Sequence, residues 1–242
     1  MAKSFAIFKK EFRQYFDSPI AYIFITVFLA INSWLFFRQF FLFNQATARS
    51  LFFLIPWVFL FFVPAVTMRL WAEERKAGTL EVLMTLPVKD WEVVFGKYFA
   101  SLVFLILSLA LTFTLPLTSW VLAAKGVSPD FGPILTSYLG AIFLGGAFLA
   151  IGIWVSSLTE NQIVAFIIAV AVSFVLMIAG ERIVTMYLPS ALVTWVEYLG
   201  LNKHFASIAR GVIDTRDVVY YLSVIGLFIY LTIRSVESRK WS

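Results

Sequence analysis

Long apolar runs alternate with short polar ones along most of the chain. A helix needs roughly 20 apolar residues to cross the hydrocarbon core. Six runs reach or approach that length: residues 20–37, 51–68, 98–123, 134–158, 163–180 and 218–233. None of the six contains Asp, Glu, Lys, Arg or His. Ahead of the first, Phe5, Phe8, Phe12, Tyr15 and Phe16 recur three and four apart, with Lys9, Lys10, Arg13 and Gln14 on the other arc. That spacing predicts an amphipathic helix over residues 4–16 lying in the membrane interface, and Asp17, Ser18 and Pro19 then break it. Between the second and third runs, residues 69–90 interleave Glu73, Glu74, Arg75, Lys76 and Glu81 with Leu70, Ala77, Leu80, Leu83 and Met84. This is a second amphipathic helix, ended by Pro87, after which Asp90 is placed as N-cap of the third run, with Glu92 in its first turn. Residues 181–217, between the fifth and sixth runs, read as two short helices on or dipping into the membrane, with Gly200 and Gly211 as stop signals and Asp214 or Asp217 capping the last run.

Composition turns these runs into a class. The 242 residues are 61% hydrophobic and 14% charged, against about 25% charged for soluble domains, so the chain is expected to be an all-α polytopic membrane protein with one transmembrane domain over residues 1–242. Lys and Arg set its orientation. Twelve lie on the side of the N-terminus, the second-to-third connection and the C-terminus, and seven on the other; both termini are therefore expected in the cytoplasm. The basic balance is a topology signal and gives no reason to expect nucleic acid. Pro56, Pro64 and Pro116 fall inside runs and predict kinks. In the fourth run Ala141 and Gly145, Gly146 and Ala150, Gly152 and Ser156 stand four apart, a spacing that lets backbones approach, whether against this chain or another. In the turn that follows, Thr159 is expected as N-cap, with Gln162 completing a capping box.

The absent chemistry narrows function. Ion-coupled carriers usually place ionisable groups near the midplane, and the six runs have none. There is no cysteine and one histidine, His204, too few for a thiolate or imidazole zinc site. The sequence ending Gly96, Lys97, Tyr98 departs from a phosphate-binding loop, with Trp91 in place of the leading glycine and Tyr98 in place of Ser/Thr. No catalytic, cofactor-binding or metal site is expected in this chain. If ATP powers it, another chain binds the nucleotide.

Three stretches carry a family resemblance. EERKAGTLEVLMTLPVKDWEVVFGKYFA resembles the signature region of ABC-2 type ABC transporter permeases; SSLTENQIVAF is similar to that family's fourth-to-fifth turn, and HFASIARGVIDTRDVVYYLS to the segment before its last span. The last is most similar to the gliding-motility-type branch of small permeases. The resemblance implies six transmembrane helices, an N-terminal elbow helix, a cytoplasmic coupling helix between spans two and three, and short outer-face helices between spans five and six. It implies a non-catalytic permease homodimer in the bacterial cytoplasmic membrane, in contact with lipid and with two ATP-binding subunits that carry ATP and magnesium. The gliding-motility-type branch adds an auxiliary subunit with a large extracytoplasmic region. The ATPase-facing patch is then expected at Glu73, Glu74, Arg75, Lys76, Gly78, Thr79 and Glu81, with Gly78 allowing close backbone approach. A membrane anchor or scaffold of an ATP-driven machine, with nothing translocated, is the competing reading.

Overall fold

The computed structural model describes residues 2–43, 49–79, 88–122 and 131–238, and among these all regular structure is helical. The helices in chain order are α1 (Ala2–Asp17), α2 (Pro19–Phe43), α3 (Arg49–Thr67), α4 (Arg69–Lys76), α5 (Asp90–Leu111), α6 (Thr114–Leu122), α7 (Phe131–Leu158), α8 (Gln162–Ile178), α9 (Arg182–Thr185), α10 (Ser190–Leu199), α11 (Leu201–Ile208) and α12 (Thr215–Ser238). Among the described residues, five segments are long and apolar enough to cross a membrane: Pro19–Arg38, Leu51–Lys76, Asp90–Thr118, Phe131–Leu158 and Thr215–Ser238. The expected run 163–180 is the 17-residue helix α8, about 25 Å long at 1.5 Å per residue.

The small residues explain the architecture. Helix α7 is the central spine, packing against α3, α5, α8, α11 and α12. A Cβ at Gly145 would lie 2.8 Å from Leu105 and 3.0 Å from Phe59, and one at Gly152 would collide with Thr67 Oγ1. The small-residue face therefore receives helices of the same chain, which the four-residue spacing left undecided. Around it Phe28, Phe59, Phe104 and Phe148 are fully buried.

Where the helices break, local hydrogen bonding gives the cause. The chain runs through Pro56 and Pro64 within α3, and the break comes at Met68. There Ser156 of α7 is inserted: its hydroxyl donates to Met68 O at 2.9 Å and accepts from the N–H groups of Trp71 and Ala72 at 3.1 and 3.2 Å. A side chain entering the backbone ladder is a recognised origin of kinks, and here it also supplies the partner that the first N–H groups of α4 lack. Pro116 acts four residues upstream. It has no N–H for the carbonyl of Thr112, which accepts from Leu115 N at 2.9 Å, and the chain turns at Thr112–Phe113 between α5 and α6.

Two caps differ from expectation, and a third falls on one of the two residues expected. Helix α5 begins at Asp90 with Lys89 as N-cap, and Glu92 accepts from Lys89 N at 3.0 Å; Asp90 is the first helical residue. Helix α8 is capped by Asn161, whose Oδ1 accepts from Ile163 N at 2.9 Å, while Thr159 accepts from Asn161 N just before it. Asp214 accepts from Arg216 N at 2.9 Å at the start of α12, leaving Asp217 for another partner. Residues 181–217 hold three short helices where two were expected. The third, α11, buries Leu201, His204, Phe205 and Ile208, an i, i+3, i+4, i+7 stripe turned toward α7 and α12.

Candidate functional site at the α4 end of the bundle

Helix α4 places the expected patch in two groups. Its first turn is buried through Leu70, Trp71 and Ala72, so Glu74 and Arg75, on the same side of the helix, face the bundle. Arg75 donates to Ser157 O at 3.1 Å and to Glu160 Oε1 at 3.0 Å, fixing α4 to the end of α7 and the turn before α8. Glu74 accepts from Lys97 at 2.8 Å. Glu73, Lys76, Gly78 and Thr79 are exposed, and Thr79 Oγ1 donates to Glu74 O at 3.2 Å. Glu81, with Leu80, Leu83, Met84 and Pro87, lies outside the described residues. Among the described residues the helix ends at Lys76, and Gly78 takes φ +69. That left-handed conformation closes helix C-termini, and glycine adopts it without Cβ strain. Among the described residues nothing lies within 4 Å of where a Cβ at Gly78 would stand.

Lys97 is the centre of this end of the bundle. Helix α5 starts eight residues before the apolar run begins, so Lys97 sits inside the helix, and its side chain is 1% exposed. Its ammonium donates to Glu11 Oε1 at 3.1 Å, to Leu70 O at 2.9 Å and to Glu74 Oε1 at 2.8 Å, and lies 5.0 Å from the Trp71 ring centroid. Three N–H donors on α5 meet one oxygen of α1 and two of α4, so one buried cation ties three separate segments together. A buried charge needs such pairing to offset its lost hydration.

Helix α1 is drawn into the same site. Ile7 packs over Gly96, where a Cβ would lie 2.6 Å from Ile7 Cγ2. Tyr15 stacks on Phe104 with centroids 4.7 Å apart and shares a 3.0 Å hydrogen bond with Ser101, while Arg69 lies 4.9 Å over its outer face. Burial pushes the Tyr15 phenol up to about 12, since the phenolate would lose its water. The aromatic arc read from the sequence thus has two sides: Phe5 is exposed, whereas Tyr15 and Glu11 are buried against α5. A cleft of about 700 Å³ remains between α1 and α4, bordered by Arg13, Arg69, Glu73, Glu74 and Lys97.

Lys97, Glu11, Ser156 and Glu160 were not among the expected site residues. Glu11 had a legible signal, the one carboxylate among Phe8, Phe12 and Tyr15 on the apolar side of α1. Lys97 had a weaker one, a lysine one turn past Val93 and Val94 in a helix already begun.

Residues 5–197 match the sequence profile of the family described as ABC-2 family transporter protein. The chain belongs to the ABC-2 transporter family. The matched stretch contains every helix from α2 to α9, most of α1, and every residue that meets at Lys97 and Ser156. A search of curated protein sequences returned no match. Membership together with the five apolar helices makes the chain a multi-pass membrane protein of the permease kind, and this family is typically non-catalytic.

Proposed function

We propose that this chain is the permease subunit of an ABC-2 exporter and that α4 is its coupling helix. The observation that carries the reading is the Lys97 junction. A push on the exposed end of α4, at Glu73, Lys76, Gly78 and Thr79, reaches α1 through Glu11 and α5 through Lys97 itself, while Arg75 and Ser156 carry it to α7. Rigid elements joined by buried polar contacts transmit displacement because packed interiors resist compression. Glu74 and Arg75 then act inside the permease as transmitters, and Glu81 completes the partner-facing patch.

In this reading residues 1–242 form one membrane domain with six spans, α8 being the fifth. Both termini and α4 lie in the cytoplasm, the membrane is the bacterial cytoplasmic membrane, and the working unit is a homodimer with two ATP-binding subunits. Those subunits hold ATP and magnesium; this chain contributes no cofactor site. The HFASIARGVIDTRDVVYYLS segment favours the gliding-motility-type branch, with its extracytoplasmic auxiliary subunit.

The decisive experiment reverses the exposed charges, Glu73→Lys with Lys76→Glu, in a chain co-expressed with its ATPase. Co-purification and stimulated hydrolysis are expected to fall roughly tenfold, equivalent to about 1.4 kcal/mol of docking energy, with unchanged thermal unfolding. Full stimulation by that variant would refute the docking assignment. Reconstituted complex that hydrolyses ATP without moving an amphiphilic tracer would assign the chain to the scaffold class instead.

A further inference from the structure

A second cleft, of about 920 Å³, opens at the other end of the bundle between the start of α3 and the α9–α11 segment. Phe52, Phe53 and Trp57 of α3 form one wall, with Met186 beside them. Phe53 is 71% exposed and Met186 66%, so the apolar surface is left uncovered by the described residues. The backbones of Gly180 and Gly200 meet beneath it, where a Cβ on Gly200 would lie 2.5 Å from Gly180 Cα.

The opposite wall is charged, and its charges are unevenly matched. Glu181 accepts from Asn202 at 2.5 Å, and Lys203 pairs with Glu197. The guanidinium groups of Arg182 and Arg210, both exposed, make no hydrogen bond or ion pair among the described residues. With Glu181, Glu197 and Lys203 counted, the wall carries one net positive charge. Guanidinium is the side chain best shaped for phosphate, offering paired N–H groups to two oxygens.

We propose that this cleft seats one phospholipid with an anionic headgroup, its phosphate held by Arg182 and Arg210 and its acyl chains lying along Phe53, Trp57 and Met186. A free phosphate would satisfy the arginines but leave the aromatic wall bare; a zwitterionic lipid such as phosphatidylcholine would offer the same phosphate but bring a quaternary ammonium against a wall that already carries one net positive charge. The site is independent of the coupling role of α4, and its test requires no ATPase, so either reading can fail alone.

Native mass spectrometry of the full chain in detergent, with phosphatidylglycerol and phosphatidylcholine of matched acyl chains in competition, reads the site directly. Phosphatidylglycerol is expected to be retained about tenfold over phosphatidylcholine, the order expected for one unit of net headgroup charge at an exposed site. Arg182→Ala with Arg210→Ala should abolish that preference, while Arg216→Ala, an exposed arginine outside the cleft, should leave it intact. Phe53→Asn, which spoils the apolar wall without changing the charge beside the arginines, should also lower retention. Displacement of the lipid by millimolar inorganic phosphate would overturn the assignment in favour of a small-anion site. Preference that survives the double arginine variant, or that falls equally in Arg216→Ala, would overturn it in favour of general lipid or charge attraction.

Discussion

Lys97 directs all three ammonium hydrogens at oxygens and is enclosed by two carboxylates and an indole. Replacing it with methionine leaves Glu11 and Glu74 facing each other in a buried space, and breaking a buried ion pair in this way costs about 3–5 kcal/mol. Lys97→Met is therefore expected to lower the thermal unfolding temperature in detergent markedly. Adding Glu11→Gln and Glu74→Gln should recover much of the loss, because no uncompensated charge then remains. A single variant as stable as the parent would show that the junction is not the anchor described. Ser156→Ala removes a smaller contribution, leaving the N–H groups of Trp71 and Ala72 without their partner, a loss of about 1–3 kcal/mol by the same measurement.

At the scale of elements, helices are held by close approach and by polar clasps. Helix α1 rests on α5 across Gly96. The chain has no cysteine, so Ile7→Cys gives a single thiol that should react slowly with maleimide; adding Gly96→Leu should lift α1 and speed labelling several-fold, in line with the local opening that exposes a packed site. At the α11 end, His204 Nδ1 lies 2.7 Å from Asp217 Oδ1 and Nε2 lies 2.9 Å from Tyr198 O, with the ring stacked 3.9 Å from Tyr220. Tyr220 and Tyr221 donate to Leu199 O and Leu201 O at 2.5 and 2.8 Å. This clasp fastens α10 and α11 to the start of α12. Buried partners of this kind couple in double-mutant cycles by about 0.5–3 kcal/mol; His204→Gln and Asp217→Asn should each admit protease to residues 182–208, and the double variant should add little beyond either alone.

For the whole molecule, α7 is a two-ended spine. Ser156 and Ser157 near its C-terminal end hold α4 and accept Ser235 of α12, whereas Gly140 and Ser137 near its start meet Ile208 and Ala209. The two ends should lie on opposite sides of the membrane. Ser238→Cys and Tyr187→Cys, both exposed positions, should label with an impermeant maleimide from opposite sides in oriented vesicles, and the positive-inside bias places Ser238 within. Labelling of both from one side would remove the proposed topology and with it the cytoplasmic position of α4.

Hydrophobic patterning by itself determined that the chain is helical, apolar and built of membrane-length runs, because each run must satisfy its own backbone in hydrocarbon. The charged stretch after residue 68 and the aromatic spacing of α1 were legible for the same reason, being local periodicities. Only the tertiary structure decided which way those charges face. Glu74 and Arg75 share sequence character with Glu73 and Lys76, yet a helical turn sends one pair toward Lys97, Ser157 and Glu160 and leaves the other exposed. The partners that settle this are 23 to 85 residues away. Ser156 entering the α3–α4 junction, Gly180 meeting Gly200 and His204 reaching Asp217 are likewise contacts between elements. A single sequence records the small or polar residue in each, and packing alone determines what it meets.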